Sequence, residues 1–136
     1  MRVLVCGGRD FGERSKAPLG SFQFIEDSRR IVAQRELLDR VLSEQCPTGH
    51  EIIIHGAARG ADRQVDMWAR KRRQKVMSFP ADWYPNGRSA GMDRSAGPKR
   101  NQRMIDEGKP DLVVAFPGGK GTEDMKRRAK AAGIKV

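Results

Sequence analysis

The chain has 136 residues and a formal net charge of +10, a length that suits one domain with its own core and leaves little room for a second. No apolar stretch approaches the roughly 18 residues that a membrane-spanning helix needs, and Met1 leads directly into a strand-like run. We therefore expect a cytoplasmic protein without a membrane partner, whose surface attracts anions such as nucleotides, nucleic acid and acidic proteins.

Strand-like and helix-like apolar patterns alternate along the chain, which is typical of a parallel sheet covered on both faces. In chain order they predict a strand over 2–6, a helix over 31–44, a strand over 51–55, a helix from about 61, a strand over 75–79, a helix over 98–107, a strand over 111–116, a helix that runs to about 132 after the N-cap Thr122, and a last strand over 134–136. We expect an α/β protein with a Rossmann-like, doubly wound parallel sheet of about five strands and helices on both faces.

Residues 13–30 do not fit this alternation, because their apolar residues show no clean period. We expect them to form a loop, flap or hairpin inserted between the first strand and the first helix of a single domain spanning 1–136.

Glycine-rich segments follow three of the predicted strands: Gly7-Gly8-Arg9-Asp10, Gly56-Ala57-Ala58-Arg59-Gly60-Ala61-Asp62 and Pro117-Gly118-Gly119-Lys120-Gly121-Thr122. Right-handed crossovers place such loops at one edge of the sheet, where the helices that follow present free N–H groups to a ligand. Each loop alone is compatible with an ordinary tight turn. Together they predict a phosphate or nucleotide site, although neither a Walker loop nor a Gly-x-Gly-x-x-Gly motif is present.

The cations Arg9, Arg59 and Lys120 are expected to surround one hollow at this edge. The candidate ligand-binding residues are Gly7, Gly8, Arg9, Asp10, Gly56, Arg59, Gly60, Asp62, Asp82, Arg100, Asn101, Pro117, Gly118, Gly119, Lys120, Gly121 and Thr122.

Several of these residues also have structural interpretations. Asp62 could bind a ribose hydroxyl or a metal, or it could complement a helix dipole. Asp10 and Asp82 could contact a sugar, or they could form Asx turns. Thr122 suits a phosphate contact and an N-cap at once. Trp83 is expected either to stack on a base or to cover the end of the sheet as a structural residue.

The loops and their order resemble the SLOG superfamily, which includes the Smf/DprA proteins and the Lonely-guy phosphoribohydrolases, and most closely its YspA, cpYpsA-related branch. The matching segments are 3–11, 55–62, 79–83, 96–101 and 117–125. The resemblance implies a SLOG fold, a nucleotide-like ligand at the Pro-Gly-Gly loop and a homo-oligomer, since related folds commonly pair their subunits through helices.

Lonely-guy enzymes cleave an N-glycosidic bond, and their motif is Pro-Gly-Gly-x-Gly-Thr-x-x-Glu with an arginine on the preceding helix. Arg100 is the candidate for that arginine, but Met125 occupies the glutamate position. Asp62 and Asp124 are the candidate replacements, although a shift of one residue turns a helical side chain by about 100°. With Arg100, they are the candidate catalytic residues, and whether the chain is an enzyme stays open.

Three functions follow. The first is binding of a nucleotide or nucleotide-derived phosphate ligand by a sensor, carrier or sequestering module. The second is hydrolysis of a nucleotide N-glycosidic bond, and the third is nucleic-acid binding through the basic runs 70–75 and 126–130, which otherwise are solvated helix faces. The sequence requires no cofactor and predicts no metal site, and it leaves a divalent metal open. Cys6 and Cys46 are expected to be reduced thiols.

Overall fold

Four parallel strands form one sheet in the order β3-β2-β1-β4 in the computed structural model, which describes residues 1–136. The elements in chain order are β1 (Arg2–Cys6), α1 (Phe22–Gln45), β2 (Ile52–His55), α2 (Ala61–Lys71), β3 (Val76–Ser78), α3 (Ala96–Asp106), β4 (Leu112–Ala115) and α4 (Lys120–Ala131), with a short 3₁₀ turn at Arg88–Ala90 before α3. No helix is both long enough and apolar enough to span a bilayer.

Helices cover both faces of the sheet, as predicted. Val3 and Val5 of β1 belong to a core shared with α1 and α2, whereas Leu4 and Cys6 belong to a core shared with α3 and α4. This alternation follows from the period of two in a strand, which sends neighbouring side chains to opposite faces. The doubly wound α/β fold is therefore confirmed.

The sheet has four strands, and the prediction of about five is wrong. The segment Ile134–Val136 contributes only an isolated bridge between Lys135 and Leu112, with the Val113 N–H donating to the Lys135 carbonyl at 2.8 Å.

Helix α1 begins at Phe22, so the expectation of a loop over 13–30 holds only for its first part. Ser21 caps the helix by accepting a hydrogen bond from the Phe24 N–H at 3.1 Å. The first turns escaped prediction because Phe22 and Ile25 are exposed, and no apolar stripe marks them. Asp27 and Ile31 are the first buried residues of the helix.

Helix α4 begins at Lys120, so the prediction of Thr122 as its N-cap is wrong. Gly119 occupies the cap position and has no side chain to supply a cap, and Thr122 is a buried residue of the first turn. Helix α3 likewise begins two residues before Pro98, which still lies in its first turn.

Strand β1 is the point at which the chain changes direction across the sheet, because β2 lies on one side of it and β4 on the other. The loops after β1 and β4 therefore diverge to opposite faces and leave a crevice at the carboxyl edge. Ligands of open parallel sheets commonly bind in such a crevice.

Candidate functional site

A cleft of about 1240 Å³ opens at this edge, between the loops that follow β1 and β4. The two loops touch through the Gly8 N–H, which donates to the Pro117 carbonyl at 2.9 Å. The cleft is large enough for a nucleotide, since pockets for small organic ligands span about 300–1,000 Å³.

Backbone crowding fixes how the loops meet. A Cβ at Gly118 would lie 2.2 Å from the Thr122 Oγ1, closer than real Cβ atoms approach. A Cβ at Gly119 would meet no atom within 4 Å. Gly118 is thus needed for packing, whereas Gly119 faces open space in the cleft.

The N-terminus of α4 is the part of the cleft whose backbone N–H groups are free. No protein acceptor is hydrogen-bonded to the backbone N–H groups of residues 118–122. Lys120 at the helix start is exposed and forms no ion pair with the protein. Free amide donors, the helix dipole and an unpaired cation together favour a phosphate group at this position.

The N-terminus of α2 is different, because the protein supplies acceptors to two of its amides. The Gly60 N–H donates to the Glu13 carboxylate at 3.0 Å, and the Ala61 N–H donates to the Gly8 carbonyl at 3.0 Å. Glu13 also pairs with Arg63 at 3.1 Å. A carboxylate thus takes the place that the sequence assigned to a ligand phosphate.

Gly60 has a packing role in this arrangement. Its φ of +81° lies in the left-handed region, and a Cβ there would lie 2.2 Å from the Gly8 carbonyl oxygen. Arg59 pairs with the cleft residue Asp10 at 3.2 Å, with both side chains mostly exposed.

Five carboxylates line the cleft, and four of them lie within ion-pair distance of an arginine: Asp10, Glu13, Asp27 and Asp124. Asp62 is the exception. It is buried, forms no ion pair and accepts a hydrogen bond from the Ala58 N–H at 3.2 Å. Burial raises the pKa of Asp62, and the Ala58 N–H and the charges of His55 and Arg100 oppose that rise only in part.

Asp124 is the opposite case, because its oxygens are saturated. It accepts hydrogen bonds from Asn101 at 3.0 Å, Arg127 at 2.9 Å and Arg128 at 2.8 Å. Burial acts to raise its pKa, but these hydrogen bonds outweigh burial and hold the pKa below its usual range. Asp124 therefore joins α3 to α4 as an ionised structural group.

Arg100 also uses its donors within the protein. Its guanidinium donates to the carbonyls of Gly56 and Phe79, and to the Asn101 side-chain oxygen at 3.0 Å. It forms no ion pair, and burial lowers its pKa, although arginine stays protonated. Arg100 supplies buried positive charge at the cleft and ties α3 to the ends of β2 and β3.

Two other reactive side chains have structural surroundings. His55 is buried, with Nε2 2.9 Å from Asp66 and Nδ1 accepting from the Ala57 N–H at 2.9 Å. Burial raises the pKa of the Cys6 thiol to about 12, and the nearby Asp62 charge adds to this effect. Cys6 therefore lines the cleft as a neutral thiol. No three His, Cys, Asp or Glu side chains are grouped to hold a metal ion.

The structure brings most of the predicted site residues to one cleft. Those that line it are Gly7, Gly8, Arg9, Asp10, Asp62, Arg100, Asn101, Pro117, Gly118, Gly119, Lys120, Gly121, Thr122 and Asp124. Gly56, Arg59, Gly60 and Asp82 do not line it, so Arg59 does not join Arg9 and Lys120 around the hollow.

Sequence reasoning missed six charged residues of the cleft: Glu13, Arg14, Asp27, Arg30, Arg94 and Arg127. Arg14, Asp27 and Arg30 lie in the segment whose pattern gave no period, and Arg94 lies in the long loop after β3. Arg127 lies in the basic run 126–130, but no local motif places any of these residues at the cleft, because only the folded chain brings them there.

Comparison with known proteins shows the family of the chain and supports its fold. The model of the YspA, cpYpsA-related SLOG family matches residues 1–84. The chain is 38% identical over 92 residues to the Gene 61 protein of Mycobacterium phage D29, a match that covers 62% of this chain and 68% of the relative. The X-ray structure of TM1055, a structural genomics target, superposes with a TM-score of 0.62 at 18% identity over 98% of this chain and 70% of that one. This last similarity concerns the fold.

Proposed function

The chain belongs to the YspA, cpYpsA-related SLOG family, and we propose that it binds a nucleotide or nucleotide-derived phosphate ligand in the cleft between the loops after β1 and β4. Membership of this family indicates a nucleotide-related ligand, to be bound or processed. The finer proposal is that the protein holds such a ligand as a sensor, carrier or sequestering module.

One observation carries the proposal: the amide N–H groups of residues 118–122 have no protein acceptor at the N-terminus of α4. Backbone donors that point into a cleft need water or a ligand, and an anionic group fits both their geometry and the helix dipole. Arg9 and Lys120 line the same cleft without an ion pair and add to the attraction.

The ring of paired carboxylates favours binding over catalysis. Four of the five acidic side chains at the cleft are engaged with arginines, and Met125, at the position where a Lonely-guy enzyme has glutamate, is buried in the core. A ligand in this cleft meets cations, backbone amides and one carboxylate that has no arginine partner.

Mass spectrometry of small molecules released from the purified protein, followed by calorimetric titration of the identified compound, tests this function. We expect a nucleotide or a nucleotide-derived phosphate that binds intact. The proposal is contradicted if neither a co-purified compound nor any added nucleoside mono-, di- or triphosphate binds at millimolar concentration.

Hydrolysis of the N-glycosidic bond is the second candidate, and the unpaired Asp62 is the observation that favours it. In that reaction Asp62 takes a proton from water while the water oxygen bonds to C1′. The bond from C1′ to the base breaks, and the base leaves with the electron pair and takes up a proton from solvent. Free base and ribose 5-phosphate released from a nucleoside monophosphate, and lost in Asp62→Asn, would establish this activity.

Nucleic-acid binding stays a prediction. Ion pairs within the protein weaken the case for it, because they engage two arginines of the basic run 70–75. In the run 70–75, Arg70 pairs with Asp66 and Arg72 pairs with Asp39. This run begins in the last turn of α2, away from the carboxyl edge of the sheet that holds the cleft. Steep salt dependence of binding to a polynucleotide would support this function.

The homo-oligomer also stays a prediction. Leu19, Phe22 and Ile25 are exposed apolar residues at the start of α1. Sedimentation of the purified protein would report its mass directly.

A further inference from the structure

Trp83 is an aromatic residue at the cleft, and the proposed function gives it no role. It lies in the segment between β3 and α3 and lines the cleft, half-buried. The outer edge of its ring rests against the first turn of α3, where a Cβ at Gly97 would lie 3.2 Å from the ring carbon Cη2. The indole ring thus lies at the wall of the cleft beside the N-terminus of α3.

Arg9 lies over this ring, with its guanidinium carbon 5.5 Å from the ring centroid. Arg9 forms no ion pair and donates no hydrogen bond to the protein. The cation–π attraction to the indole ring takes the place of a hydrogen bond or an ion pair for this side chain.

The other arginine–aromatic pairs are engaged differently. Arg72 over Trp68 is bonded to Asp39, which also accepts from the Trp68 Nε1–H, and Arg103 near Phe79 is bonded to Glu107. Arg14 lies over Phe24 but is bonded to Ser28, and Arg88 lies over Tyr84 outside the cleft. Trp83 and Arg9 are therefore the one such pair in which both side chains line the cleft and the cation is free.

The backbone holds Trp83 in place through Asp93. The Asp93 N–H donates to the Trp83 carbonyl at 2.6 Å, and the Asp93 carboxylate accepts from Ser95 and Lys99 at the start of α3. The hydrogen bond from the Ser95 hydroxyl, followed by that from Lys99, lowers the pKa of Asp93 to about 2. The loop that carries the ring is thus tied to α3, although it has no long element of its own.

We propose that Trp83 is the base-stacking platform of the cleft: the planar heterocycle of the ligand lies on the indole ring beside Arg9, while its phosphate lies on the free amides of residues 118–122. This inference rests on the proposed function and deepens it, because it commits the ligand to a nucleotide rather than a sugar phosphate. Stacking suits an indole ring since every base has a π face, and the neighbouring guanidinium can stack on the base as well.

The test compares adenosine 5′-monophosphate with ribose 5-phosphate, which share the sugar phosphate and differ in the base. Calorimetric titrations are made with the parent protein, Trp83→Ala and Trp83→Phe, and thermal unfolding checks that each variant is folded. We expect Trp83→Ala to weaken the mononucleotide about 5- to 150-fold, the range of a base–aromatic stack, and Trp83→Phe to weaken it less. The affinity for ribose 5-phosphate is expected to be unchanged in all three proteins.

Fluorescence gives a second readout, because Trp68 and Trp83 are the two tryptophans and Trp68 is buried on α2. We expect the mononucleotide to quench the emission of the parent protein and to leave that of Trp83→Phe unchanged. An equal loss of affinity for both compounds in Trp83→Ala, or no loss for either, would overturn the base-stacking role while the phosphate site stands. A parent protein that binds neither these two compounds nor any other nucleoside mono-, di- or triphosphate would overturn the proposed function as well.

Discussion

The backbone nitrogen of Gly8 lies 2.7 Å from the point at which a side chain on Gly118 would begin. This contact closes the floor of the cleft, because it joins the loop after β1 to the loop after β4. The amide groups of residues 118–122 are left free above it. The anion site thus depends on two loops that are more than 100 residues apart in the chain.

Gly118→Ala is expected to destabilise the fold. The new methyl group would meet the Thr122 Oγ1 and the Gly8 nitrogen, and such overpacking costs about 1–3 kcal/mol. Gly119→Ala is the matched control, because its methyl group would meet open space, and we expect it to cost less than about 1 kcal/mol. Chemical denaturation of the two variants measures the difference, and equal stabilities would show that the loops are not in tight contact.

Gly119→Asp is expected to weaken nucleotide binding at least tenfold, because it places a carboxylate beside the amides that receive the phosphate. Gly119→Asn has nearly the same size without the charge, so calorimetry should show a clearly smaller loss. Both residues are good N-caps, so both variants should fold. If Gly119→Asp and Gly119→Asn bind alike, charge at this position does not control the site.

Asp62→Asn is expected to stabilise the protein at neutral pH. Burial raises the pKa of Asp62 in the folded chain, so the folded state holds its proton more tightly than the unfolded state. The neutral carboxyl therefore contributes stability at low pH. This stability is lost as the pH rises above the ordinary pKa of an aspartate, near 4. The melting temperature of the variant should exceed that of the parent by about 2–5 °C at pH 7, and the gap should close near pH 4. A gap of the same size at both values would exclude the titration of Asp62 as its cause.

Asp124→Asn is expected to cost about 1–3 kcal/mol of stability, since Arg127 and Arg128 lose their charged partner. The pKa of Asp124 is lowered in the folded protein. The ionised group therefore stabilises the fold above the ordinary pKa of an aspartate, and this stabilisation is lost as the pH falls below about 4. Glu123→Gln is the control: it breaks an exposed pair with Lys126 and should cost less than about 1 kcal/mol. Urea denaturation at pH 7 and pH 3 compares the two variants.

Much of this architecture could be predicted from the sequence, because the signals are local. The runs at 2–6 and 111–116 are apolar, and a glycine-rich turn follows each of them. Their meeting at one edge follows from the handedness of the crossovers. Fourteen of the eighteen different residues predicted at the site accordingly line the cleft.

The remaining features depend on contacts between distant segments. No pattern in the sequence indicates that Glu13 reaches the N-terminus of α2, 47 positions away, or that Arg59 pairs with Asp10. The start of α1 was missed for a related reason: its first apolar residues are exposed, so the helix there has no buried stripe to mark it.

Amide chemical shifts measured during a titration with adenosine 5′-monophosphate test the central claim most directly, because they report where the phosphate lies. The largest shifts should fall on the backbone amides of Gly8 and of residues 118–122, with smaller ones at Arg9 and Trp83. Binding that shifts the amides of residues 70–75 instead, and leaves those of 118–122 in place, would contradict the assignment of the cleft as the ligand site.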